Sequence, residues 1–180
     1  MDIKLKNLRT LLKIDKIFPN YPNDLLEISF FSHNASEKTK KILDMKDNDR
    51  LEFLGDRVLK IVYGNIQLNT RNASKNLQDM LESNRTFSCY LTKLGDICGL
   101  VNIDKNDKMC ADLFEAFIGS LFQYGYYEQG IGYSILNKIQ DWLMESTPLV
   151  DHIDYIMKFY INNYENDDFC CSTVECAKKK

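Results

Sequence analysis

Apolar residues recur along this chain at helical spacing and hardly anywhere at the alternation of a strand. Leu5, Leu8, Leu12 and Ile17 fall near a 3.6-residue period, which Pro19 and Pro22 then interrupt. Asp24 with Glu27 offers a capping arrangement for a short helix through Phe31, and residues 32–36 read as a loop. Asn48 or Asp49 caps a long helix whose core face includes Leu51, Leu54, Val58, Ile61 and Val62. Residues 69–74 form a polar turn. A helical region from about Leu77 to Leu94 ends at Gly95. Met109 to Tyr124 is a strongly apolar helix closed by Gly125, and Ile131 to Met144 is a further helix before Pro148. Ile153, Ile156 and Phe159 suggest a short last helix, and only Phe169 to Val174 hints at a strand. The pattern predicts an all-α fold, with one domain over residues 1–148 and a short helix and poorly specified tail over 149–180.

Two acidic pairs interrupt this apolar pattern. Glu52 and Asp56 are four residues apart, and Asp112 and Glu115 are three apart, so each pair shares one helix face. Acids at such spacing usually form a solvated face. Here Leu51, Phe53, Leu54, Val58 and Leu59 surround the first pair, and Ala111, Leu113, Phe114, Ala116, Phe117 and Ile118 surround the second. Charges in such company are costly unless paired or bound to a metal. Oxygen-only ligands suit Mg²⁺ or Mn²⁺. His33 and His152, the two histidines, stand away from both motifs, which disfavours iron and zinc. Gly55 lies inside the first motif, where it weakens a helix unless another helix or a ligand approaches closely.

Composition adds bounds. Of 180 residues, 23 are basic and 26 acidic, a net charge of −3 that does not favour a strongly electrostatic nucleic-acid binder. Lys4, Lys6, Arg9, Lys13 and Lys16, with Lys38, Lys40 and Lys41, form basic stretches that either line a phosphate-facing surface or are plain solvated faces. No run is long and apolar enough for a membrane span, and the N-terminus lacks a signal-peptide core. The six cysteines, Cys89, Cys98, Cys110, Cys170, Cys171 and Cys176, then read as reduced thiols of a cytoplasmic or nuclear protein. The last three cluster, but without a fourth ligand for zinc.

Residues 49–59, Asp-Arg-Leu-Glu-Phe-Leu-Gly-Asp-Arg-Val-Leu, resemble the signature of the ribonuclease III family. Residues 111–121, Ala-Asp-Leu-Phe-Glu-Ala-Phe-Ile-Gly-Ser-Leu, are similar to that family's second motif, and Ser32-His33 to its Thr-His element. The resemblance covers roughly residues 8 to 145. It implies an all-helical endonuclease domain that dimerises and cuts double-stranded RNA. It implies that Glu52, Asp56, Asp112 and Glu115 bind metal, with Asp56 and Glu115 central to catalysis. It makes Phe53 an aromatic inserted into the partner subunit, and Lys108 the catalytic lysine of Dicer-like and fungal-type members, against its reading as a solvated surface lysine.

Departures are visible too. Asp49 stands where the family has Glu, leaving it an RNA-binding or structural role. Ser74 replaces an acid, Leu81 replaces a basic residue, and the segment between the motifs is short. About 30 residues follow Val150, fewer than the family's double-stranded-RNA-binding domain requires, which leaves two readings: a minimal nuclease that relies on an RNA-binding partner protein, or a chain shortened relative to its relatives. A tail ending in lysines is a sufficient reading of Lys178 to Lys180.

The implied chemistry is metal-assisted hydrolysis with one or two Mg²⁺ ions, a metal-activated water as nucleophile and a stabilised leaving oxygen. By resemblance the products carry a 5′-phosphate and a 3′-hydroxyl, and each subunit of a homodimer cuts one strand. RNA would be read by A-form shape, 2′-hydroxyls and phosphates. The rival readings are a non-catalytic RNA-binding scaffold on the same fold and, more remotely, an all-α phosphohydrolase of small molecules.

Overall fold

The structure is a computed structural model that describes residues 2–70, 75–103 and 106–154; the side chains of His33, Thr70 and residues 75–77 are outside that description. Helix α1 (Asp2–Leu12) buries Leu5, Leu8 and Leu12, and a tight turn at Ile14–Lys16 leads past Pro19 and Pro22 into α2 (Asn23–Phe31). The chain continues through α3 (Glu37–Leu43), α4 (Asp49–Thr70), α5 (Lys75–Leu81), α6 (Asn84–Leu94), α7 (Ile97–Val101), α8 (Asp107–Gln123) and α9 (Ser134–Ser146), and is helical again over 149–154. Among the described residues there is no strand. The all-α class follows as the pattern predicts.

Helix α8 is the axis of the fold. Its residues from Ala116 to Leu121 are buried on every side, because α4, α6, α2 and α9 pack around it. That enclosure is why the α8 sequence is apolar all round rather than along one stripe. Phe114 stacks on Phe87 with ring centroids 5.3 Å apart and meets Tyr90 and Trp142 at 5.8 and 6.3 Å. The Trp142 indole nitrogen donates to the Leu12 carbonyl at 2.7 Å, tying α9 to α1 without leaving a buried donor unpaired.

Several local expectations are corrected. Glu27 does not cap α2: Pro22 sits at that cap, and the buried Glu27 carboxylate instead accepts from the Ser36 amide at 2.7 Å and the Thr39 hydroxyl at 2.6 Å. Those bonds fasten α3, which the sequence pattern missed and which Ser36 caps by accepting from the Thr39 amide at 3.1 Å. Ile61 lies outside the core: it is 56% exposed, and α4 buries Leu51, Val58, Leu59, Val62, Tyr63 and Ile66 instead. At 100° per residue, Ile61 falls on the flank of that stripe. The helical region expected from Leu77 to Leu94 is two helices, because Ser83 accepts from the Thr86 amide and starts α6 afresh. The sulfurs of Cys98 and Cys110 meet 2.6 Å apart, buried between α7 and α8. The Phe169–Val174 segment, the Cys170, Cys171 and Cys176 cluster, Ile156, Phe159, Ser74 and the terminal lysines lie outside the described residues. Among the described residues, no helix is long and apolar enough to cross a membrane.

Candidate metal centre

The crossing of α4 and α8 builds the site. A Cβ placed on Gly55 would overlap the Glu115 carbonyl, and one placed on Gly119 would overlap the Leu51 carbonyl. Glycine on both sides lets α4 and α8 come within backbone contact. Glu52 and Asp56 on one helix and Asp112 and Glu115 on the other are thereby brought to a common edge.

Three of these acids converge. One carboxylate oxygen from each of Glu52, Asp112 and Glu115 lies within 4.8 Å of the others, and all three residues are half-buried. Oxygens on opposite sides of a bound Mg²⁺ stand about 4.1 Å apart, so small side-chain movements close this set around a hard cation. Asp56 stands beside the trio, and its carboxylate is held by the Lys60 ammonium at 2.8 Å and the Arg57 guanidinium at 3.5 Å. At the other end, the exposed Lys108 ammonium lies 2.8 Å from Asp112.

The crowding is electrostatically costly, as burial of like charges must be. The Glu115 carboxyl is pushed up to about 7, first by burial and then by the charges of Asp56, Glu52 and Asp112, with Lys108 opposing. Glu52 is also raised, by burial and then by Asp112. Lys108 is raised by its hydrogen bond and charge contact with Asp112. Carboxylates held this far from their ordinary range gain from a divalent cation in their midst.

Asp49 is exposed at the start of α4. It lines a cleft of about 310 Å³ with Asn48, Glu52, Met109 and Asp112. Phe53 is 64% exposed, with the Arg57 guanidinium 5.0 Å from its ring centre. It edges a concave patch formed by Leu43, Met45, Leu54, Gln123 and Tyr127. Glu52, Asp56, Asp112, Glu115 and Lys108 are thus brought together, with Asp49 on the adjoining cleft, while Phe53 edges a separate concave patch.

Sequence reasoning missed Gly119, Lys60 and Glu82. The first has a legible signal, a glycine inside an otherwise apolar buried helix, and the second is an acid–base pair at i,i+4 with Asp56. Glu82 has none, since its place depends on the break between α5 and α6. Its carboxyl accepts from Gln78 and is raised chiefly by burial, with Gln78 and Lys60 opposing and Asp56 and Asp79 adding.

The chain is 30% identical over 124 residues to the Ribonuclease 3 of Shouchella clausii, covering 62% of the chain and 46% of that protein. It is 30% identical over 130 residues to the Ribonuclease 3 of Streptococcus uberis, covering 65% and 56%, and 31% identical over 133 residues to that of Streptococcus agalactiae, covering 65% and 57%. The chain is a ribonuclease III relative. It spans about half the length of the curated relatives it matches. No family model matches it, and no solved structure does. As in the expectation from its motifs, this ribonuclease III relative has an all-helical domain of the nuclease type, with the two acidic motifs facing one another across α4 and α8.

Proposed function

We propose that residues 1–148 form the nuclease domain of a Mg²⁺-dependent endoribonuclease that cuts double-stranded RNA, with Mn²⁺ able to substitute. The observation that carries this reading is the convergence of Glu52, Asp112 and Glu115, with Asp56 beside them, from two helices locked together at Gly55 and Gly119. A solvated acidic face has no reason to gather half-buried carboxylates that raise one another's affinity for protons.

In this reading Glu52, Asp112 and Glu115 hold the ion and Asp56 completes the acidic wall. A metal bound there would supply an activated water and charge stabilisation at the leaving oxygen. Asp112 orients Lys108 through their 2.8 Å contact, so the ammonium stands at the rim where a scissile phosphate would enter. The Gly55–Gly119 crossing fixes the spacing of the acids, which is the preorganisation that such catalysis requires. Hydrolysis leaves a 5′-phosphate and a 3′-hydroxyl.

Phe53 and its concave surroundings serve as the contact of a symmetric homodimer, each ring filling the partner's patch between Leu43, Met45 and Tyr127. The two sites then serve opposite RNA strands. Asp49, on the cleft wall, contacts RNA or shapes the start of α4. Duplex RNA is held mainly through phosphates and 2′-hydroxyls, with an RNA-binding partner protein supplying further affinity.

The test is incubation of the purified chain with long duplex RNA in Mg²⁺ and in EDTA. Cleavage confined to the Mg²⁺ arm supports the reading. Duplex bound but uncut in Mg²⁺ identifies a non-catalytic scaffold instead.

A further inference from the structure

Lys60 stands one turn beyond Asp56 on α4, outside both acidic motifs. Its ammonium lies 2.8 Å from one Asp56 oxygen and 2.9 Å from the other, so it grips the carboxylate as a cation does. Gln78, from α5, donates to the Lys60 carbonyl at 3.4 Å and also holds the Glu82 carboxyl. Both Lys60 and Asp56 act electrostatically on Glu82. One further turn along α4, the Tyr63 hydroxyl is fully buried and has no hydrogen-bond partner among the described residues, and its proton is held by burial and by the charges of Glu82 and Glu115.

The distribution of cations points the same way. Asp56 and Asp112 each hold an ammonium at 2.8 Å, Lys60 and Lys108, and Asp56 also has the Arg57 guanidinium at 3.5 Å. Asp56 is therefore the acid whose charge the chain's own cations already meet most fully. A lysine head is a compact point charge on a flexible stem, and Lys60 is 40% exposed, so it can leave Asp56 without opening the core.

We propose that the Lys60 ammonium is a built-in cation of this site: the free chain takes one divalent ion, at Glu52, Asp112 and Glu115, and a second reaches Asp56 only by displacing Lys60 toward Glu82. This rests on the metal site proposed above. Lys60 is a positioning residue here, setting how many ions the acids accept before RNA arrives.

The test is a Mn²⁺ titration of the purified chain without RNA, read by calorimetry and by electron paramagnetic resonance. Wild type should bind one tight Mn²⁺ per chain. Lys60→Met should bind a second at least about tenfold more tightly than wild type does, the effect of removing one unit charge at contact distance. Lys60→Arg should resemble wild type. Equal stoichiometry and affinity in wild type and Lys60→Met, or two tight ions in wild type, would overturn the proposal. The wild-type chain gives a second reading that does not need Lys60→Met to fold. The Lys60 side-chain ammonium resonance, assigned with Lys60→Arg, should stay in place through the first equivalent of Mg²⁺ and move only with excess, and movement with the first equivalent overturns the proposal. A chain that binds one Mn²⁺ but leaves RNA intact removes the nuclease reading and supports this one. A chain that binds no Mn²⁺ removes both.

Discussion

Gly55 and Gly119 lie against each other where α4 crosses α8, the amide nitrogen of each 2.9 Å from where the other's Cβ would be. The obstacles to a side chain at either position are backbone atoms, which cannot swing aside. Overpacking a core costs about 1–3 kcal/mol, and occasionally more. The helix preference of alanine returns only about 1 kcal/mol. Gly55→Ala and Gly119→Ala should therefore each destabilise the fold by about 2 kcal/mol or more and weaken divalent-ion binding as the acids spread. Gly64→Ala on the same helix meets nothing within 4 Å and should stabilise slightly. Urea unfolding of the three variants checks this, and equal midpoints for Gly55→Ala and Gly64→Ala would contradict it.

The Glu115 carboxyl titrates near 7 in the fold, against an ordinary 4.5. Its folded value is the raised one, so the stability it contributes is complete below about 4.5 and is lost as pH rises through 7. Glu52 shifts in the same direction. Burial pushes His152 the other way, down to about 4, so its contribution is present above 6.5 and lost as pH falls through 4. The ion-free wild type should therefore lose melting temperature relative to Glu115→Gln between pH 5 and pH 8, a comparison in which His152 cancels. Saturating Mg²⁺ holds Glu115 ionised and should reverse the wild type's slope, with affinity rising toward pH 8. Parallel melting curves for the two proteins in EDTA would refute the shift.

Phe53→Ala should weaken the homodimer by about 2 kcal/mol or more, the usual loss when a central aromatic anchor is removed. Cleavage should fall with it, while Mn²⁺ bound per chain stays the same. Sedimentation at assay concentrations, run beside cleavage, decides this; a fully active monomer would exclude the arrangement.

Affinity for duplex RNA should be modest and should fall steeply with salt, since the basic residues that can meet phosphates are spread along α1 and α3. Arg9 is already engaged by Asp15, Asn23 and the Tyr21 carbonyl, so Arg9→Ala should cost folding stability more than RNA affinity. Filter binding at several salt concentrations measures the slope. Tight binding that persists in high salt would show another binding element in the chain.

The helices and the four acids were legible because both depend on spacing within one element. The i,i+4 and i,i+3 pairs placed Glu52, Asp56, Asp112 and Glu115 on common faces before any tertiary contact was known. Gly55 was legible only as a weakness, and the contact with Gly119 gave it its meaning. Glu82 escaped because its place depends on how α5 docks beside α4, a long-range relationship that no local pattern carries, whereas Lys60 had a local signal in its i,i+4 spacing from Asp56. Helix α3 escaped for the same reason: its hold on the fold is the Glu27 carboxylate, which sequence alone assigned to a cap on its own helix. The exposure of Ile61 shows the limit of periodicity over a 22-residue helix, where a small error in phase moves a residue from core to flank.

The most direct measurement is the cleavage of long duplex RNA in Mg²⁺ by wild type and by Glu115→Gln at equal concentration and equal helicity. Glutamine keeps the size of the side chain and its hydrogen bonding but removes the charge that the metal requires. Wild type should cut the duplex to short products with 5′-phosphate ends, and Glu115→Gln should leave it intact while binding it as well as before. Equal cleavage by the two proteins, or none by wild type, would contradict a metal-dependent nuclease built on these four acids.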